Sequence, residues 1–73
     1  MPFDIIDTMK ILVWEVRHDK KISLRQLEEL SGVSKTTLNA IGNDKRIPNI
    51  VQLEKIAKAL GVKISDLYES EYK

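Results

Sequence analysis

Three polar side chains in the middle of the chain, Lys35, Thr36 and Asn39, have the chemistry to read the edges of DNA bases. A lysine can donate to guanine O6 or N7, a threonine offers a hydroxyl and a methyl group, and an asparagine can pair with adenine through two hydrogen bonds. Basic and small polar side chains nearby suit phosphate, which positions a protein on a duplex without reading its sequence. These candidate phosphate contacts are Arg25, Ser34, Asn43, Lys45 and Arg46.

Catalytic chemistry has little support in the composition. The chain has no cysteine, and its single histidine, His18, stands among charged residues at a predicted helix end, where histidine is ordinarily solvated. No nucleophile, paired carboxylates, phosphate loop or metal-ligand set is arranged around it. We therefore expect a protein that is not an enzyme and that uses no metal or cofactor.

The base-reading candidates need a rigid element that presents them, and residues 23–41, SLRQLEELSGVSKTTLNAI, predict one. Ser23 and Gln26 have the spacing of a capping box, and Leu27 and Leu30 form an inward stripe. Gly32 ends this helix, and Ser34 begins a second one. In the second helix Leu38 and Ile41 face inward. Because the turn is too short for antiparallel stacking, the two helices must cross steeply, as in a helix-turn-helix of about residues 23–43.

The remaining sequence predicts three further helices around this motif. A first helix is expected from about Asp4 to Asp19, and a fourth is capped by Asn49 and Gln52 and ends at Gly61. Ser65 is the expected cap of a short last helix with Leu67 inward. No alternation typical of strands competes, so we predict an all-α, five-helix fold in a single domain, 1–73. The inward stripes are Ile5, Ile6, Met9, Leu12, Val13 and Val16 in the first helix, and Ile50, Leu53, Ile56, Ala57 and Leu60 in the fourth.

Charge is unevenly distributed along the chain. The net charge is only +1, but residues 20–49 hold six basic and three acidic side chains, a net +3, which leaves −2 elsewhere. Such a division of charge would steer a polyanion toward the helix-turn-helix. An ordinary solvated surface of mixed charge would give a similar distribution in the sequence. The N-terminus lacks the positive charge of a signal peptide, and no apolar run could span a membrane. We expect a cytoplasmic protein with no membrane partner.

The sequence resembles the lambda-repressor-like helix-turn-helix family of the Cro or XRE type over nearly its whole length. The similarity rests on an ordered set of features: Arg17, Ile22-Ser23, LEELSGVS at 27–34, Leu38 and Ile41, KRIP ending at Pro48, and LEKIAKALGVKISDLY at 53–68. The resemblance implies a repressor-type domain whose third helix enters the major groove of double-stranded DNA, generally as a homodimer on a palindromic operator. It also places Ala40 at a base-reading position, and a dimer interface at the last helices, here Ile64, Leu67, Tyr68 and Tyr72.

Four residues depart from the family pattern. Leu24 replaces a glutamine that donates to phosphate, and Asp44 replaces a glycine, which is tolerable because aspartate visits the left-handed backbone region more readily than most residues. Gly42 replaces a glutamate that in many members pairs with the arginine here numbered Arg17. Glu28 replaces an alanine, and we hypothesise that its carboxylate becomes the partner of Arg17.

Two questions remain open at this level. Ile11 and Trp14 lie opposite the core stripe of the first helix, so either the chain termini cover them, for instance through Phe3, Tyr68 or Tyr72, or they belong to an interface with a partner. A protein-interaction module of the same fold, such as an antitoxin or an anti-regulator with weak or no DNA binding, is the alternative to a DNA-binding repressor. Leu24, Gly42 and the low net charge favour this alternative slightly.

Overall fold

The computed structural model describes residues 9–73, and it is mostly helical. In chain order the elements are β1 (Met9–Ile11), α1 (Val13–Asp19), α2 (Leu24–Ser31), α3 (Lys35–Gly42), α4 (Ile50–Leu60), a 3-10 turn (Ile64–Leu67) and β2 (Tyr68–Ser70). The repressor-type helical fold is therefore confirmed, with α2 and α3 as the helix-turn-helix. The described residues contain four α-helices instead of five, and a two-stranded ribbon that the sequence did not predict.

The predicted caps of α2, α3 and α4 begin these three helices as expected. Ser23 and Gln26 form a capping box at α2, and Asn49 and Gln52 form another at α4. The side chain of Ser34 accepts a hydrogen bond from the Thr37 amide and so caps α3. These side chains satisfy amides that the first turn of a helix leaves without a backbone acceptor, so the helix starts are fixed by residues three positions apart.

The two-stranded ribbon replaces parts of the first and last predicted helices. Of the helix predicted from Asp4, residues 4–8 lie outside the described residues, and Met9–Ile11 form β1, antiparallel to β2, with Ile11 opposite Tyr68. The Leu12 amide donates to the carbonyl oxygen of Leu67 at 2.8 Å and extends this pairing, so α1 begins only at Val13. The predicted last helix capped by Ser65 is instead a single 3-10 turn that leads into β2.

One apolar core holds the helices together. α2 packs on both α3 and α4, while α1 contacts α3, α4 and the 3-10 turn. Burying each large aliphatic side chain of this core contributes about 1.5–3 kcal/mol to the free energy of unfolding. The buried hydrophobic residues are Val13, Leu27, Val33, Leu38, Ile41, Leu53, Ile56, Ala57, Leu60 and Leu67.

Two residues assigned to inward stripes are exposed. Leu30 is 60% exposed, and Ile50, the first residue of α4, is 63% exposed. In α2 the half-buried Leu24 and Ser31 flank the buried Leu27 on one side of the helix, so the inward face is centred away from Leu30, which lies on the other side of Leu27. Among residues 9–73, no helix is long and apolar enough to cross a bilayer.

Candidate DNA-binding surface

The turn between α2 and α3 has the geometry that the sequence predicts. Gly32 has a left-handed backbone with a φ of 75°, and its amide donates to the carbonyl oxygen of Glu28 at the end of α2. A glycine adopts this conformation without the steric cost that a side chain would add. Leu38 and Ile41 anchor α3 in the core at 1% and 2% exposure. With these two residues inward, the other side of α3 is free to face solvent.

The outer face of α3 presents the base-reading candidates. Lys35, Thr36 and Asn39 are exposed, and Ala40 is half-buried on the same helix. Thr37 is half-buried and accepts a hydrogen bond from the hydroxyl of Ser34 at 3.0 Å, so it belongs to the cap of the helix. The structure thus brings the four candidates together on one short helix, while their contacts with bases stay a prediction.

The candidate phosphate contacts lie at the two ends of α3, in the loop that follows it, and at the start of α2. Asn43, Lys45 and Arg46 are exposed in the loop after α3, Ser34 is exposed at the start of α3, and Arg25 is exposed in the first turn of α2. The loop is held against the helix by its own backbone, since the Lys45 amide donates to the carbonyl oxygen of Ala40 at 2.9 Å. Nη1 of Arg46 lies 3.5 Å from Oγ1 of Thr37.

Asp44, in the same loop, has a φ of 60°, which confirms that this aspartate adopts the left-handed conformation for which the family commonly uses glycine. Leu24, another residue that departs from the family pattern, is half-buried and packs against the core. The leucine therefore contributes to packing at a position where the family often places a phosphate donor.

The hypothesis that Glu28 pairs with Arg17 is wrong. Oε2 of Glu28 accepts a hydrogen bond from the backbone amide of Lys35 at 2.8 Å, across the turn. The ion pairs within residues 9–73 are Lys10 with Glu15 and Lys73 with Glu69. Glu28 is drawn to Lys35 because the first amides of a helix lack backbone acceptors and carry partial positive charge.

Arg17 has different partners. Its Nη1 donates to the carbonyl oxygen of Ile22 at 2.6 Å, and its Cζ lies 4.1 Å from the centroid of the Trp14 ring. Nε of Arg17 is buried and has no hydrogen-bond partner within residues 9–73. Trp14 in turn packs against Gly42 at the end of α3, so the indole occupies the space beside the position where the family has its glutamate.

The predicted dimer interface requires one correction. Leu67 is 0% exposed and lies in the core, so its side chain cannot contact a second chain. Ile64 is half-buried against the core, Tyr68 is half-buried in β2, and Tyr72 is 87% exposed. Ile11 is half-buried and paired with Tyr68 through the ribbon, in agreement with the idea that a terminus covers it. Phe3, the other proposed cover, lies outside the described residues.

Sequence reasoning did not identify one apolar group close to this surface. Ile47, Ile50 and Val51 are 56%, 63% and 55% exposed, and they follow the loop after α3 within five positions of the chain. The three aliphatic residues stand close together in the sequence, but the helical period of the fourth predicted helix assigned Ile50 to the core. His18 is exposed at the end of α1, and residues 9–73 contain no group of three metal-ligating side chains.

Comparisons with known proteins agree with this geometry. Residues 13–72 match the family model of the Cro/C1-type HTH DNA-binding domain. The HTH-type transcriptional regulator PuuR of Escherichia coli, like that of Shigella flexneri, is 32% identical over 59 residues, which are 81% of this chain and 32% of the relative. The chain thus spans about a third of the length of these curated relatives.

Solved structures of restriction-modification controller proteins have the same fold. C.AhdI from Aeromonas hydrophila is 26% identical with a TM-score of 0.71, over 74% of this chain and 82% of that protein. Wild-type C.Esp1396I is 27% identical with a TM-score of 0.66, over 70% of this chain and 67% of that protein. From its sequence and its fold, the chain belongs to the Cro/C1-type helix-turn-helix family of DNA-binding transcriptional regulators.

Proposed function

We propose that this chain binds double-stranded DNA in a sequence-specific manner and acts as a small transcriptional repressor, with α3 in the major groove. The observation that carries the proposal is the outer face of α3, where Lys35, Thr36 and Asn39 are exposed on a helix anchored from behind by Leu38 and Ile41. A rigid helix with two or three polar side chains near its start is the usual means of direct readout in the major groove.

We further propose that the protein acts as a homodimer on a palindromic operator. Two copies of α3 about 34 Å apart would meet successive turns of one face of B-DNA. The resemblance to the Cro or XRE type, which implies a homodimer on a palindromic operator, supports this arrangement. The candidate surfaces for the contact between the two copies are the half-buried Ile64 and Tyr68 with the exposed Tyr72, and the exposed Ile47, Ile50 and Val51.

The test is selection of bound duplexes from a random pool at near-physiological salt. We expect an inverted repeat to be enriched, and we expect Lys35→Ala to lose preference at one position of each half-site. Lys58→Ala, which removes an exposed lysine from α4, is the matched control and should enrich the same repeat. Enrichment of no motif would contradict the proposal.

The second candidate function is a protein-interaction module of the same fold, such as an antitoxin or an anti-regulator. The exposed Ile47, Ile50 and Val51 favour it, because three large aliphatic side chains exposed within five positions of the chain are a candidate contact with another protein. A stable complex with a protein partner, together with failure to select any duplex, would favour this function over the first.

A further inference from the structure

Backbone conformation does not explain why Gly42, the last residue of α3, is a glycine. Its φ is not among the positive values, which occur at Gly32 and Gly61. Helix propensity alone would favour an alanine at this helical position. The residue must therefore be explained by what lies beside it.

The indole of Trp14 lies beside it. A Cβ atom on Gly42 would overlap Cε3 of the ring and would lie 2.6 Å from Cζ3 and 2.9 Å from Cδ2. The neighbouring group is a rigid aromatic ring, so no flexible chain end can yield and the whole indole would have to move. The absence of a side chain at Gly42 is what allows α1 and α3 to approach each other at this point.

The same indole is connected to the start of the helix-turn-helix. The Arg17 guanidinium stacks on the ring at 4.1 Å and donates at 2.6 Å to the carbonyl oxygen of Ile22, directly before the Ser23 cap of α2. The contacts run from Ile22 through Arg17 and Trp14 to Gly42. They connect the residue before the cap of α2 with the last residue of α3.

We propose that Trp14 is a positioning residue for the recognition helix, and that its contact with Gly42 sets how far the second half of α3 projects from the domain. Asn39 and Ala40 lie in that half, within one turn of Gly42, so the contact governs the reading of bases at that end of each half-site. The proposal rests on the proposed function, because it concerns the same DNA-binding face. In this chain the aromatic contact takes the place of the ion pair that Gly42 rules out.

The first test is Gly42→Ala, measured on the selected operator and on an unrelated duplex. The added methyl group should displace the indole and shift α3, so the ratio of the two affinities should fall by about tenfold, as for the loss of one base contact. Binding to the unrelated duplex should fall by less than binding to the operator, because phosphate contacts do not read sequence. Trp14 is the only tryptophan, so its fluorescence emission should move with the displacement.

Two further variants separate positioning from general loss of stability. Val16→Ala removes packing from the core side of α1 and should lower the Tm while it leaves the affinity ratio unchanged. Trp14→Leu combined with Gly42→Ala gives the methyl group room, so the double variant should have a higher Tm than Gly42→Ala alone. Trp14→Leu alone completes the cycle, and simple addition of its effect and that of Gly42→Ala would show that the residues are not coupled.

The outcomes distinguish the two proposals. If the wild-type protein selects an operator and Gly42→Ala keeps both the affinity ratio and the emission spectrum, the positioning role is refuted and the proposed function stands. An equal fall of the ratio in Val16→Ala would also refute it. If the wild-type protein selects no duplex, the proposed function fails, and the positioning role fails with it.

Discussion

The hydrogen bond from the Lys35 amide to Glu28 gives a quantitative test of how the recognition helix is held. Glu28→Ala removes a charged acceptor from the first amide of α3, with which Oε2 forms a 2.8 Å bond. Hydrogen bonds to charged groups contribute about 1.5–3 kcal/mol, and a carboxylate at a helix N-terminus adds about 0.3–1 kcal/mol. Since this pair is exposed to solvent, the lower end applies, and we expect a loss of about 1.5 kcal/mol in the free energy of unfolding.

Thermal and urea denaturation, followed by circular dichroism, would measure this loss. In a domain of this size about 1.5 kcal/mol lowers the Tm by about 6–12 °C. Glu28→Gln keeps a neutral acceptor and should lose only about 0.5 kcal/mol. The matched control is Glu29→Ala, an exposed glutamate on the same helix, which should change stability by less than about 0.5 kcal/mol. Equal stability of the Glu28→Ala and Glu29→Ala variants would show that the bond to Lys35 does not hold α3.

Four further substitutions, one of them a control, test the surface and the backbone. Lys35→Ala should cost about 1–3 kcal/mol in operator binding and relax one base position, measured by titration of operator variants. Lys45→Ala should weaken binding to all duplexes and reduce the slope of log K against log salt by about one, and an unchanged slope would count against a phosphate contact. Lys21 has a φ of 59°, so Lys21→Gly should raise the free energy of unfolding by about 1 kcal/mol, whereas Lys20→Gly, at a φ of −82°, should lower it.

The helix-turn-helix was predictable because its signals are local. Ser23 with Gln26, Gly32, and Ser34 each determine a helix end through contacts within four residues, so neighbours in the sequence already contain the information. The outward position of Lys35 and Thr36 follows from the inward position of Leu38 and Ile41 by helical period alone.

The ribbon was not predictable from local pattern. Each strand has three residues, too few for an alternation to be recognised, and its partner lies at the other end of the chain. Met9 and Leu12 fit a helical stripe equally well, and only the pairing with residues 67–70 decides between helix and strand. A pattern read within one short window cannot include that pairing.

The partners of Arg17 and Glu28 were missed for a different reason. Family resemblance indicated that Arg17 needed a carboxylate, and Glu28 was the available candidate. In the structure Arg17 donates to a carbonyl oxygen and stacks on an aromatic ring, and Glu28 accepts from a backbone amide seven residues away. Opposite charges in a sequence do not determine a pair when each can find another hydrogen-bond partner at lower desolvation cost.

The antiparallel pairing of β1 with β2 makes the two ends of the domain differ from its middle in tolerance to changes in length. The entropic cost of closing a flexible loop grows only logarithmically, about 0.6 kcal/mol for each doubling, so insertions in exposed connections between helices should be absorbed. A deletion of one residue within either strand would be far more damaging. It would reverse the alternation, so that Lys10 or Glu69 would point toward the apolar core while Ile11 or Tyr68 turned to solvent.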